Sequence, residues 1–256
     1  MSTVQWLSLG IILLTYAGIG LGRVPKLRMN RTTVTLVGAG ALLAIQAINE
    51  QQAFAAIDLG TIVLLFSMMV INVHLRLAGF FNLVGSRVLL LAHSPRLLLA
   101  LIVGSAGVLS ALFLNDPVCL LFTPLVVDLT QRAKRDPILY LIGLATAANV
   151  GSTATITGNP QNLIIGQAGR ANGITYFNFL TALTPVALIG LLICWLVIVV
   201  LFPDEFRGQI EEVDLPEPQI YPPLLWRCVV VVVGLLVAFL SGTPIASAVR
   251  NRIVLM

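Results

Sequence analysis

The sequence predicts an all-α polytopic membrane protein, with about six to seven transmembrane helices, one re-entrant hairpin and one broken helix. Three observations predict it. Hydrophobic residues make up 58% of the chain and charged residues 10%, against about 25% charged in soluble domains, and mean hydropathy is +0.98. Several apolar runs approach the roughly 20 residues needed to cross a bilayer. Finally, the twelve residues Gly151–Asn162 hold four Ser or Thr, two Gly, one Pro and three amides in the middle of an apolar chain. Lipid-facing backbone does not tolerate that polarity. Irregular backbone at membrane depth survives only where protein buries it or where it lines a cavity.

Taken in order, the first span is expected over Val4–Leu21. No basic segment precedes it, so it reads as a retained span and not a cleaved signal. A basic loop follows, with Arg23, Lys26, Arg28 and Arg31. Spans over Thr33–Ile48 and Leu59–Val73 flank a loop, Asn49–Asp58, that carries Glu50 and Asp58 and no Lys or Arg. Phe80–Ala92 fits an interfacial amphipathic helix. Leu97–Leu114 and Val118–Leu129 are apolar runs interrupted by Asn115-Asp116-Pro117, and Arg96 and Arg132 flank the pair. This pattern suits a re-entrant hairpin with its tip at Asn115–Pro117. Two ordinary spans joined by a turn are the alternative. Pro137–Gly166 is the broken span: as one helix it would be about 45 Å long, beyond the roughly 30 Å of hydrocarbon. Phe177–Phe202 is the clearest span, Pro203–Pro223 an acidic soluble loop, and Arg227–Leu240 a last span.

Basic residues sort with the cytoplasm. Placing residues 23–31, 74–96 and 132–135 inside, together with Arg207 and Arg227, puts twelve of the fifteen Lys and Arg on that side, leaving Arg170, Arg250 and Arg252. The net charge of +4 therefore reports orientation and not nucleic-acid binding. The C-terminus also echoes the N-terminus. Leu21, Pro25, Arg31 and Leu36 recur as Leu240, Pro244, Arg250 and Leu255. Five crossings lie between the copies, which is the pattern of an inverted repeat. The expected organisation is thus a first repeat over residues 1–202, a cytoplasmic linker over 203–223 and the start of a truncated second repeat over 224–256.

Discontinuous helices are where secondary transporters bind substrate and ions, so the break directs the search for a site. Asp116 is the one ionisable residue placed deep in the membrane, where a charge is costly and its default meaning is function; capping a helix is the alternative. Asn115 beside it offers donor and acceptor atoms. Asn149 precedes the break. Unwound carbonyls near Val150–Ser152 would suit Na⁺, which favours oxygen ligands. Ser152, Thr153, Thr155 and Thr157 add hydroxyls, although Ser and Thr also mediate helix packing. Gly151 and Gly158 permit unusual backbone. Asn159 fits an N-cap and Pro160 the first turn of a restarting helix, followed by Asn162. That helix start would offer free N–H groups to an anion. Na⁺ is placed at Asn115, Asp116 and Gly151.

Other residues read as bland. Cys119, Cys194 and Cys228 lack metal or redox spacing. His74 and His93 lie beside interfacial stretches, Asp128 and Asp136 flank a basic cluster, and Trp6, Tyr176, Tyr221 and Trp226 fit aromatic belts. An intramembrane enzyme would need a second acid, a His pair or a metal motif at membrane depth, and the sequence holds none.

The strings FLNDPVCLLFTP and ATAANVGSTATITGNPQNLIIG resemble the ion transporter superfamily. That group includes citrate-transporter-like proteins, divalent anion:sodium symporters and arsenite permease or sodium–proton antiporter relatives. Its anion symporters have a Ser-Asn-Thr hairpin tip and a break ending in Thr-Pro-Pro-Asn. Here the tip reads Leu114-Asn115-Asp116 and the break ends in Asn159-Pro160-Gln161-Asn162. The resemblance implies two inverted repeats, each with a hairpin and a broken helix, and an ion site at Asn115, Gly151 and the Asn159–Asn162 turn. It implies a homodimer in the cell membrane, a small anion as substrate, and Na⁺ or H⁺ as coupling ion with no other cofactor. Asp116 in place of Thr brings proton coupling into play. Arsenite efflux and Na⁺/H⁺ exchange are the alternatives within transporters, and a passive channel the alternative outside them.

Overall fold

A computed structural model describes residues 2–22, 29–210 and 219–241. Among these the chain is helical, and it divides into two compact units, Met1–Leu59 and Gly60–Met256. The expected echo beyond Leu240, the basic residues Arg23, Lys26 and Arg28, and the acidic residues Glu211, Glu212, Asp214 and Glu217 lie outside the described residues.

The first unit holds α1 (Thr3–Leu21), α2 (Arg31–Ala44) and α3 (Glu50–Ala55). Ser2 and Gln5 form a capping box at the start of α1, satisfying two donors that a helix end leaves open. Helices α1 and α2 pack through small residues, Gly18 against Val34 and Gly38 against Thr15, the usual contact of membrane helices. The second helix ends earlier than the expected Ile48. Gln46 turns into left-handed backbone with φ 54°. Asn49 and Gln52 then form a capping box that starts α3 within the expected loop.

The second unit holds α4 (Leu59–Leu77), α5 (Phe80–Leu91), α6 (Pro95–Phe113), α7 (Asn115–Arg132), α8 (Pro137–Ser152), α9 (Pro160–Ala168), α10 (Tyr176–Leu201) and α11 (Pro222–Leu240), with a 3₁₀ turn at Gly169–Asn172. By length and composition, five stretches of the described residues can cross a membrane: Thr3–Leu21, Glu50–Leu77, Pro95–Phe113, Tyr176–Leu201 and Pro222–Leu240. Prolines at the first turns of α6, α8, α9 and α11 suit helix starts, because their missing N–H has no partner there anyway. This is also why α11 starts at Pro222, ahead of the expected Arg227.

The core is built on α6 and α8, with α7 and α10 beside them and α5 against α6 and α7. Leu98, Leu99, Ile102, Val118, Phe122 and Leu144 are buried within it. At one point the backbones of α6 and α8 meet. A Cβ at Gly151 would overlap the Cα and carbonyl of Gly107.

Two expectations shift. The hairpin turns at Leu114, not at Asn115–Pro117. Leu114 alone links α6 to α7, with φ 75° and ψ 139°. Asn115 and Asp116 already belong to α7, because Pro117 fits a helix's first turn and need not interrupt it. The unwound backbone lies at residues 153–159, not 150–152, since α8 remains helical through Ser152.

The part of the acidic loop that is described docks on the protein. Phe206 is buried against the Tyr140 ring, with centroids 5.7 Å apart. The Arg135 guanidinium donates to the Glu205 and Arg207 carbonyls, both at 3.1 Å. Ile210 N donates to His93 O at 3.2 Å.

Candidate functional site

The hairpin turn and the helix break meet. Asn115 N, the first amide of α7, donates to the Gly158 carbonyl at 3.0 Å. The Thr155 hydroxyl donates to the Ala111 carbonyl near the end of α6. The break therefore binds both arms of the hairpin. Gly158 is required for this path, because a Cβ there would overlap the Ser152 carbonyl.

Between them lies a cavity of about 330 Å³ lined by Asn115, Asp116, Asn149, Ser152, Asn159, Pro160, Gln161 and Asn162. Three helix ends supply it: the first turn of α7, the last turn of α8 and the first turn of α9. Two of the three are N-termini, which carry partial positive charge. The cavity therefore combines that charge with the Asp116 carboxylate, and no Lys or Arg is among its described lining residues.

The lining is largely a self-bonded amide network. Asn115 Nδ2 donates to Asn149 Oδ1 at 3.1 Å, and Asn149 Nδ2 to the Ala145 carbonyl at 2.9 Å. Ser152 Oγ donates to the Asn149 carbonyl at 2.8 Å and accepts from Asn159 Nδ2 at 3.1 Å. Asn159 Oδ1 caps α9 by accepting from Asn162 N at 2.7 Å. Asn162 Nδ2 faces three carbonyls of the break: Thr155 at 2.8 Å, Ser152 at 3.2 Å and Thr153 at 3.4 Å. Asn115 Oδ1 is buried without a partner.

Of the residues predicted for the site, Asn115, Asp116, Asn149, Ser152, Asn159, Pro160 and Asn162 share this cavity. Gly151, Thr153, Thr155 and Gly158 do not line it. Gly151 is buried at the α6 contact, and its carbonyl accepts from Ala154 N at 3.1 Å. Thr153 Oγ1 back-bonds to the Val150 carbonyl at 2.7 Å. Thr155 and Thr157 are buried and lead away from the cavity, because Thr157 Oγ1 pairs with the Tyr176 hydroxyl at 3.2 Å. Tyr176, read from sequence as a belt residue, is buried and braces the break.

Gln161 also lines the cavity, as part of the Asn159–Asn162 turn that the resemblance implies. One group escaped the sequence reading. Asn72 is 2% exposed in the middle of α4. Its Nδ2 donates to the Phe113 carbonyl at 2.7 Å and to the Met68 carbonyl at 2.9 Å, holding the hairpin turn from outside the break. An amide inside an apolar span was the signal there.

A family model for citrate transporters matches residues 12–256. The chain is 34% identical over 185 residues to the silicon efflux transporter LSI3 of Oryza sativa subsp. japonica, a match covering 72% of this chain and 38% of that protein. It is 26% identical over 182 residues to the putative transporter arsB of Dictyostelium discoideum, covering 71% and 32%. It is 31% identical over 192 residues to the inner membrane protein YbiR of Escherichia coli (strain K12), covering 73% and 48%. The chain thus spans less than half the length of these relatives.

Proposed function

The chain belongs to the citrate transporter family, and on that premise we propose that it is part of a secondary active transporter of a small anion, a carboxylate or an inorganic oxyanion, driven by Na⁺ or H⁺. It is a multi-pass membrane protein. The observation that carries the proposal is the Asn115–Gly158 hydrogen bond, which brings an acid at a hairpin tip and a helix N-terminus into one cavity. The Asp116 carboxylate and Asn115 Oδ1 would receive the coupling cation, as hard cations take oxygen ligands. The α9 N-terminus would face the anion. A cation bound first would neutralise Asp116 and lower the electrostatic barrier to the anion, which couples the two. A homodimer in the bilayer is the assembly that the resemblance to the symporters supports.

Uptake into proteoliposomes by the full-length protein tests this. Asp116→Asn is expected to abolish the dependence of transport on Na⁺ or pH. Transport by that variant with unchanged Na⁺ and pH dependence refutes the role.

A second reading has its own observation. The described lining offers amides, one hydroxyl and a carboxylate, but no basic side chain. That chemistry suits a hydroxylated, uncharged oxyacid better than a multivalent anion. A relative named as a silicon efflux transporter supports efflux of such a solute. Substrate competition between citrate and arsenous acid separates the two readings.

A further inference from the structure

We propose that Thr155, backed by Thr157 and Tyr176, is a positioning residue for the coupling site: it holds the hairpin tip in the register that brings Asn115 and Asp116 to the cavity. The inference rests on the transport reading above and adds to it the device by which α10 acts on the tip.

A hairpin that turns at one residue strips its backbone of helical partners. In a continuous helix the Ala111 carbonyl would accept from Asn115 N. The turn at Leu114 opens that pair, and the break replaces both halves of it. Asn115 N donates to the Gly158 carbonyl at 3.0 Å, and the Ala111 carbonyl accepts from the Thr155 hydroxyl. The Phe113 carbonyl would need an N–H at position 117, which Pro117 lacks; Asn72 Nδ2 supplies one at 2.7 Å. The tip is thus held at three points, and the break provides two of them.

The Thr155 hydroxyl is itself held from behind. Its oxygen lies 3.4 Å from Thr157 Oγ1, which lies 3.2 Å from the Tyr176 hydroxyl, and all three residues are buried. A carbonyl has no proton to give, so Thr155 donates to Ala111. Each hydroxyl carries one proton. The three contacts therefore form together in one sense only: Tyr176 donates to Thr157, Thr157 to Thr155, and Thr155 to Ala111. The chain starts at Tyr176, the first residue of α10, whose ring lies against Phe239 of α11 with centroids 5.3 Å apart. It ends on the arm of the hairpin that carries the tip. A tip released from Thr155 samples registers in which Asn115 and Asp116 no longer share the cavity. Apparent affinity for the cation then falls by the fraction of time the competent register is held. Saturating cation restores that register, so the loss appears in the half-saturating concentration and not in the maximal rate.

Full-length protein in proteoliposomes is assayed for uptake of citrate and of arsenous acid across a Na⁺ titration and a pH titration. Thr155→Val keeps the branched shape and loses the hydroxyl. It is expected to raise the half-saturating concentration of Na⁺ or H⁺ about tenfold, the size of one hydrogen bond lost from a buried acceptor, with the maximal rate per folded protein kept. Thr155→Ser, which keeps the hydroxyl, is expected to restore the wild-type value. Tyr176→Phe keeps the ring on Phe239 and is expected to shift the value in the same direction by less. The double variant is expected to match Thr155→Val alone, because residues acting in one chain are not additive. Wild-type half-saturation in Thr155→Val, a fall in maximal rate alone, or additive effects in the double variant overturns the proposal. Where Thr155→Val fails to fold, Tyr176→Phe decides, and an unshifted half-saturation in that variant overturns it. Wild-type uptake that depends on neither ion instead refutes the coupled-transport reading, and this inference with it.

Discussion

At the scale of single residues, the site is a lesson in which polar groups are structural. Asn162 looked from sequence like a ligand at a helix start. In the structure its one amide faces the Ser152, Thr153 and Thr155 carbonyls, at the end of α8 and in the break beyond it. Unpaired polar groups away from water cost about 1–3 kcal/mol each. Asn162→Ala is therefore expected to destabilise the full-length protein by about 2 kcal/mol. Thermal unfolding in detergent reads this, and an unchanged melting temperature would count against the bracing role. Asn159 was legible because N-cap chemistry is local: a short acceptor, a Pro and a free N–H three residues on. Asn72 was not, because its partner Phe113 is 41 residues away.

At the scale of elements, the decisive contact is between α6 and α8. Their backbones approach at Gly107 and Gly151, and this contact lies at the end of α8 that opens into the break. Small residues allow such contact in membrane helices. Sequence alone made Gly151 a cation ligand; the packing makes it the point of closest approach. Gly151→Val is expected to force the helices apart and cost on the order of 1–3 kcal/mol, the usual penalty of overpacking. The same variant should also weaken coupling, because the hairpin and the break would no longer hold Asn115 against Gly158. Thermal unfolding and Na⁺-dependent uptake measured together check both effects. The hairpin turn shows the same division. Its existence was readable from two apolar runs around Asn-Asp-Pro. Its position at Leu114, in backbone with φ 75° that L residues rarely adopt, was set by Pro117 starting α7 and by the contacts that hold the turn.

At the scale of the whole molecule, the arrangement of charge sets orientation. Lys134 and Arg135 sit at the turn between α7 and α8, and Arg135 is fastened to the segment after α10. The positive-inside rule puts this end in the cytoplasm. In an otherwise cysteine-free background, a Lys134→Cys variant should react with an impermeant maleimide only when the cytoplasmic face is accessible. An Asn172→Cys variant should react in intact cells. The reverse pattern would invert the topology. The helices also carry wide exposed apolar faces, such as Leu188, Ile189, Leu192 and Ile193 on α10, as expected of surfaces that meet lipid tails.

The sequence by itself determined the class, the order of the long helices, the break after α8, the hairpin and the cap of α9. Each depends on interactions that reach no further than about four residues along the chain, or on the length of an apolar run against the bilayer. Tertiary structure alone decided which polar residues share the cavity. Asn115 and Gly158 lie 43 positions apart, and their hydrogen bond exists because α6 and α8 pack closely enough to bring the turn onto the break. It also decided which amides are spent on the wall. Hydrogen-bond satisfaction depends on every neighbour of a group at once, and a linear pattern does not contain those neighbours.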